Sequence, residues 1–220
     1  MPGPYVFATV PDERDAFRAS VEQRRRARAW RREPPPQVAP ISNARIAIVI
    51  VLVAEIMFFA GLVGAYLLFR FGSAVWPPAN LPRLPLAVTW VNTLVLIASG
   101  FTMLAALRAV RSDDGTALRR QLLLTAVLGL VFLSVQGSEW ARLIRHGLTL
   151  GAGTYGSTFY VLIGSHAAHV AIAVLWVVIV AIGAWQGRFT AVRHAAVEVC
   201  AIYWFFVCAL WLALFALVYH

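Results

Sequence analysis

A chain of 220 residues that is 60% hydrophobic and only 13% charged carries too little polar surface for a water-soluble domain of its size. Its net charge of +9 rests on 19 arginines and no lysine, a bias that a GC-rich genome explains as readily as a physical need. The two cysteines, Cys200 and Cys208, form neither a CxxC pair nor a CxxCH haem-attachment site, and eight residues along one helix (~12 Å) is too far for a disulfide.

Residues 1–40 are polar and lack the apolar core of a secretory signal, so they read as an Arg-rich N-terminal segment ahead of a membrane domain over 41–220. Pro11–Glu33 can form a surface helix with a weak apolar stripe, Phe17 and Val21, and Pro34–Pro36 then stiffens the chain. Arg24, Arg25, Arg26, Arg28, Arg31 and Arg32 suit anionic lipid headgroups. Nucleic acid is the rival partner for such a run, but beside a spanning helix a basic run is a topology and lipid signal, and no nucleic-acid partner is expected.

Five apolar blocks predict five membrane-spanning helices, at 44–69, 86–107, 118–143, 155–185 and 194–219, and so an all-α polytopic membrane protein. Glycines within the blocks (Gly61, Gly64, Gly100, Gly129, Gly164) are compatible with helix, because small residues let membrane helices approach closely.

The first span carries Glu55 ~15 Å deep, near the middle of a hydrocarbon layer ~30 Å thick. A carboxylate there is costly unless a cation or hydrogen bonds compensate. Two readings stand: a protonated acid bonding between helices, or a role in proton movement or lipid binding. The loop that follows holds Pro77, Pro78, Pro82 and Pro85, which forbid helix and sheet, with Trp76 and Trp90 as interfacial anchors. In the second span Asn92, Thr93 and Ser99 can hydrogen-bond across helices. The turn RSDDGT offers Gly115 for a positive φ.

The third span ends with Glu139 and Arg142 at i,i+3, a helical ion pair, and Gln136 one turn deeper on the same face. The fourth places His166 and His169 on one face at mid-depth, which predicts that this face meets other helices. The fifth opens with His194 and Glu198 at i,i+4, a structural pair near the surface, and ends in Trp204, Trp211 and Tyr219, suited to packing or the interface. Fifteen arginines fall on the N-terminal side of the membrane and four on the other, which places the N-terminus in the cytoplasm and the C-terminus outside.

No repeat, phosphate-cradling loop or nucleophile–base motif is present. Haem ligation by a histidine pair needs facing helices at matched depth, whereas both mid-depth histidines share one helix. His pairs at i,i+3 supply too few ligands for a metal.

Five segments in order carry a family resemblance. EIMFFAGLVGAY is similar to a Glu-bearing SE-x-MFF-AGF segment. WPP followed by NTLVLIASG resembles the outer loop and next helix of the same family. LLTAVLGLVFLSVQGSEW fits LG-x-x-F-x-x-x-Q-x-x-EY, YGSTFYVLIGSHAAHV is close to YGSTFF-x-x-TG-FHG-x-HV, and RFTAVRHAAVEVCAIYWFFVCALW follows the last helix. Over about Arg45–His220 the chain resembles subunit III of the haem–copper oxidases, in a five-helix form lacking the first two helices.

The resemblance implies a subunit without haem or copper of its own, those cofactors lying in the catalytic partner. It implies direct packing on catalytic subunit I, with subunit II and other membrane subunits nearby, in a bacterial inner membrane. It also implies two groups of helices with a V-shaped cleft that holds structural phospholipids, protection of proton uptake and slower turnover-linked inactivation. The family's intramembrane acid maps onto Glu55, its two histidines onto His166 and His169, its Gln–Glu pair onto Gln136 and Glu139, and its last-helix acid onto Glu198, with His194 beside it. Phe205 and Cys208 depart from the family, which has His and Asp there, so the network those residues could form is absent. Two other classes remain open: a homologous subunit associated with nitric oxide reductase, and a free-standing proton channel or carrier using Glu55, His166 and His169. The second lacks the inverted repeat and interrupted helices of transporters.

Overall fold

A computed structural model describes residues 13–30, 43–76, 78 and 86–219. Among them every regular element is a helix: α1 Glu13–Trp30, α2 Asn43–Gly72, α3 Leu86–Arg111, α4 Gly115–Arg145, α5 Gly153–Trp185 and α6 Ala195–Val218. Helices α2 to α6 are long and apolar enough to cross a membrane, and each coincides with a predicted span. Most extend the span by about a turn, because their flanking arginines continue the helix. α1 belongs to a separate compact unit and is strongly polar. The proline loop after Pro78 and the run Pro34–Pro36 lie outside the described residues.

Four spans form a closed ring. α3 packs on α4 and α6, and α5 packs on the same two; across the ring α4 and α6 meet only through side chains, such as Phe132 on Trp211. α2 stands outside the ring and touches only α5 and α6. Its buried residues, Ile48, Phe59 and Tyr66, are separated by 11 and 7 positions, which sets them in one narrow stripe. Leu52, Glu55, Leu62, Val63, Leu67 and Arg70 are half-buried, and most of the remaining α2 surface is apolar and exposed. An apolar groove of about 210 Å³ runs between α2 and α5, lined by Leu62, Ala65, Phe69, Ser157 and Val161 among others.

The ring is fixed by indole–hydroxyl bonds. Trp204 and Trp211, both fully buried on α6, donate to Ser99 (3.2 Å) and Thr93 (3.0 Å) on α3. Those hydroxyls donate in turn to carbonyls of their own helix, Leu96 and Thr89, so each is satisfied without water. Asn92 donates to the Phe132 carbonyl of α4 at 3.1 Å. The three polar residues of the second span therefore do bond across helices.

Gly156 and Gly183 of α5 are approached closely by the loops beside them, and Gly129 by neighbouring helices. A Cβ on Gly129 would meet Trp204 at 2.6 Å and Val174 at 2.7 Å, so α4 admits the indole only because no side chain is there. Gly61, Gly64 and Gly100 have open space beside them.

The turn from α3 to α4 differs from expectation. The left-handed residue is Asp113, at φ 59°, and Gly115 is simply the first residue of α4. Asp114 N–H bonds to Ala109 O and Asp113 N–H to Val110 O, the Schellman pattern, which puts the positive φ on Asp113. Aspartate tolerates this conformation better than bulkier residues, and its side chain accepts from the Ala191 amide, 78 residues on, at 2.9 Å. Asp114 caps α4 through the amides of Thr116 and Ala117.

Candidate functional site

The first predicted site residue, Glu55, lies near the middle of α2, and His169 lies near the middle of α5. The structure brings them together: Oε2 of Glu55 is 2.8 Å from Nε2 of His169. Both side chains are about four-fifths buried. One and a half turns of α2 shape the contact. Glu55 supplies the acid, while Phe58 and Phe59, at i+3 and i+4, set their rings 6.0 and 5.1 Å from the imidazole. Tyr203 of α6 lies within electrostatic reach of Glu55.

A second contact fixes one proton of this pair. Nδ1 of His169 is 2.6 Å from the carbonyl of Ser165, one turn back on α5. A carbonyl only accepts, so Nδ1 carries a hydrogen. Nε2 is thus the nitrogen turned toward Glu55, at ion-pair distance from Oε2 although the two do not align as a hydrogen bond.

His166 does not join them. Three residues apart on a helix means ~60° apart around its axis, so both rings meet Phe59 but only His169 reaches Glu55. His166 is fully buried inside the ring, its imidazole stacked on Trp211 with centroids 5.2 Å apart. Neither of its ring nitrogens has a hydrogen-bond partner among the described residues.

Glu198 gathers more partners than the sequence suggests. The expected bond to His194 is present at 3.2 Å. Arg45 of α2 also reaches it at 2.5 Å and Arg111 of α3 at 3.1 Å, so one carboxylate ties three helices. Sequence reading counted both arginines only as topology signals, and nothing in local spacing joins residues 153 apart. At its other end α2 is held to α6 by Arg70, which donates to the Leu217 carbonyl at 2.7 Å.

Glu139 and Arg142 form the expected i,i+3 pair at 3.0 Å. Gln136 is buried one turn away, where the Tyr219 hydroxyl reaches it and Thr89. Trp76 is packed edge-on between Tyr66 and Tyr155, in addition to any anchoring role. Phe205 is half-buried, and Cys208 lies half-buried against Ser99. Cys200 is buried, and both thiols are free.

Comparison with known proteins identifies the family. The profile of cytochrome c oxidase subunit III matches residues 38–220. A cytochrome c oxidase subunit 3 of Synechocystis is 38% identical over 173 residues, covering 78% of this chain and 73% of that protein. A probable cytochrome c oxidase subunit 3 of Mycobacterium leprae is 37% identical over 175 residues, 79% and 86% of the two chains. The cytochrome c oxidase subunit 3 of Corynebacterium diphtheriae is 34% identical over 192 residues, 84% and 93% of the two. The chain belongs to the cytochrome c oxidase subunit III family, and is thereby a non-catalytic, multi-pass subunit of an oxidase complex.

Proposed function

We propose that this subunit packs directly on catalytic subunit I, near subunit II, and sustains proton uptake there by means of the Glu55–His169 pair. The observation that supports the reading is the 2.8 Å approach of Glu55 and His169 midway along two spanning helices, with Nδ1 of His169 committed to Ser165. Such a pair stores a proton without placing net charge in the bilayer. The remaining one-fifth exposure of both side chains leaves it reachable from the partner's side.

The haem and copper of the complex belong to the catalytic partner. The arginine distribution supports a bacterial inner membrane placement with the N-terminus cytoplasmic and the C-terminus outside. The apolar groove between α2 and α5 supports phospholipid binding along α2.

Glu55→Gln tests the reading. The variant keeps shape but cannot exchange a proton. Assembly and haem spectra should stay near wild type, while the oxidase inactivates sooner during turnover or loses activity at high pH, where bulk protons are scarcest. If lifetime and pH profile both match wild type, Glu55 only fastens α2 to α5.

A further inference from the structure

We propose that Arg45 and Arg111, held by Glu198, form a clamp for the phosphodiester headgroup of an anionic phospholipid at that end of the bundle. The proposal goes beyond the groove between α2 and α5, which lies toward the opposite end of α2, and names a different site and a charge class. It rests on the reading that this end faces the inner leaflet.

The geometry is unusual for a plain ion pair. The backbones of α2 and α3 come within 8 Å nowhere among the described residues, yet an arginine from each ends on the same carboxylate. Glu198 is nearly buried, at 11% side-chain exposure, and uses both oxygens. The two guanidiniums are 54% and 60% exposed. A guanidinium has five N–H donors, and each here commits one nitrogen to Glu198, so most of its donor fork faces outward.

The charge does not close. Two guanidiniums oppose one carboxylate, and His194 adds a donor to the same oxygen as Arg111. Arg108, one turn back on α3, is exposed and adds to the excess. Asp113 and Asp114 at the α3–α4 turn bond only to neutral amides and keep their charges, but Arg119, Arg120, Arg188 and Arg193 at the same helix ends outnumber them. A phosphodiester monoanion supplies the missing charge and the acceptors that a guanidinium fork matches.

The surroundings select a lipid over a free anion. Next to Arg45 along α2, Val49, Ile50 and Val53 are exposed, and Phe101 is exposed on α3. Hydrocarbon chains hanging from a headgroup at the arginines would lie against such side chains. Bound there, a lipid would bridge the gap between α2 and α3 that protein leaves open.

The test uses the intact oxidase complex, washed in mild detergent, with retained lipid quantified by mass spectrometry. Wild type should keep phosphatidylglycerol in preference to phosphatidylethanolamine. Arg45→Gln with Arg111→Gln should retain one anionic lipid fewer per complex. Arg145→Gln, an exposed arginine at the far end of α4, should change nothing. In nanodiscs containing phosphatidylglycerol, Arg111→Gln alone should weaken lipid-dependent stabilisation about tenfold. That single variant leaves Arg45 and His194 on Glu198, so it keeps the fold where the double variant fails to assemble.

Equal retention by wild type and both arginine variants would overturn the proposal, as would an equal loss in Arg145→Gln. Displacement of the lipid by inorganic phosphate would assign the site to a free anion and overturn the headgroup. None of these readouts depends on the turnover lifetime that tests Glu55.

Discussion

His166 lies flat on Trp211, with ring planes 24° apart, in the middle of the four-helix ring. The indole is anchored by its bond to Thr93, while the imidazole makes no hydrogen bond among the described residues. A polar ring without partners is a cost carried by the fold, and its shape is what the site uses. His166→Leu should therefore change stability by less than about 1 kcal/mol, whereas His166→Ala opens a cavity and should cost about 2–4 kcal/mol. Thermal unfolding of the purified complex measures both. Haem absorbance should be intact in each.

Ser99 and Trp204 are expected to behave as one unit. Ser99→Ala strands a buried indole N–H and should cost about 1 kcal/mol. Trp204→Phe removes that donor but leaves a smaller ring. In the double variant the Ser99 change should add almost nothing, so a double-mutant cycle should return a coupling of about 0.5–1 kcal/mol. Additive losses would show that the bond contributes nothing.

Gly129 and Gly64 differ sharply although both sit inside spans. Gly129→Ala drives a methyl into Trp204 and Val174 and should destabilise by about 1–3 kcal/mol. Gly64→Ala meets open space and should be neutral or slightly stabilising through helix propensity. Unfolding temperatures of the two variants in one detergent decide the point.

Asp113 is a left-handed residue whose side chain also bonds the loop before α6. Asp113→Gly should keep the turn and lose only the bond to Ala191, a change of a few tenths of a kcal/mol up to about 1. Asp113→Val adds backbone strain and should cost about 1 kcal/mol more. Amide hydrogen exchange around Ala191 should quicken in both.

The spans were readable because membrane burial demands long apolar runs, and Glu139–Arg142 and His194–Glu198 because both lie within one helix. Contacts between helices were not readable, because they depend on how each helix is rotated. Glu55 and His169 were singled out separately, and their meeting needs α2 and α5 side by side. His166 and His169 both meet Phe59 of α2, as a shared face predicts, but ~60° of rotation turns His166 onto Trp211 and away from Glu55. Arg45 and Arg111 were hidden by their other role, since an arginine at the end of a span is expected whether or not it has a partner. Gly115 lost the left-handed position to Asp113 because the hydrogen bonds that end α3, and not residue preference, choose where the chain reverses.

The closed ring also sets an order of events during synthesis. α6 is the last of the five spans to leave the ribosome, and it completes the contacts of two earlier ones: indoles for Thr93 and Ser99, a carboxylate for Arg45 and Arg111, a carbonyl for Arg70. Until it inserts, α2 has only α5 to lean on and the ring is open on one side. A nascent chain halted after α5 thus lacks the α6 partners of Arg45, Arg70 and Arg111 and keeps an open flank.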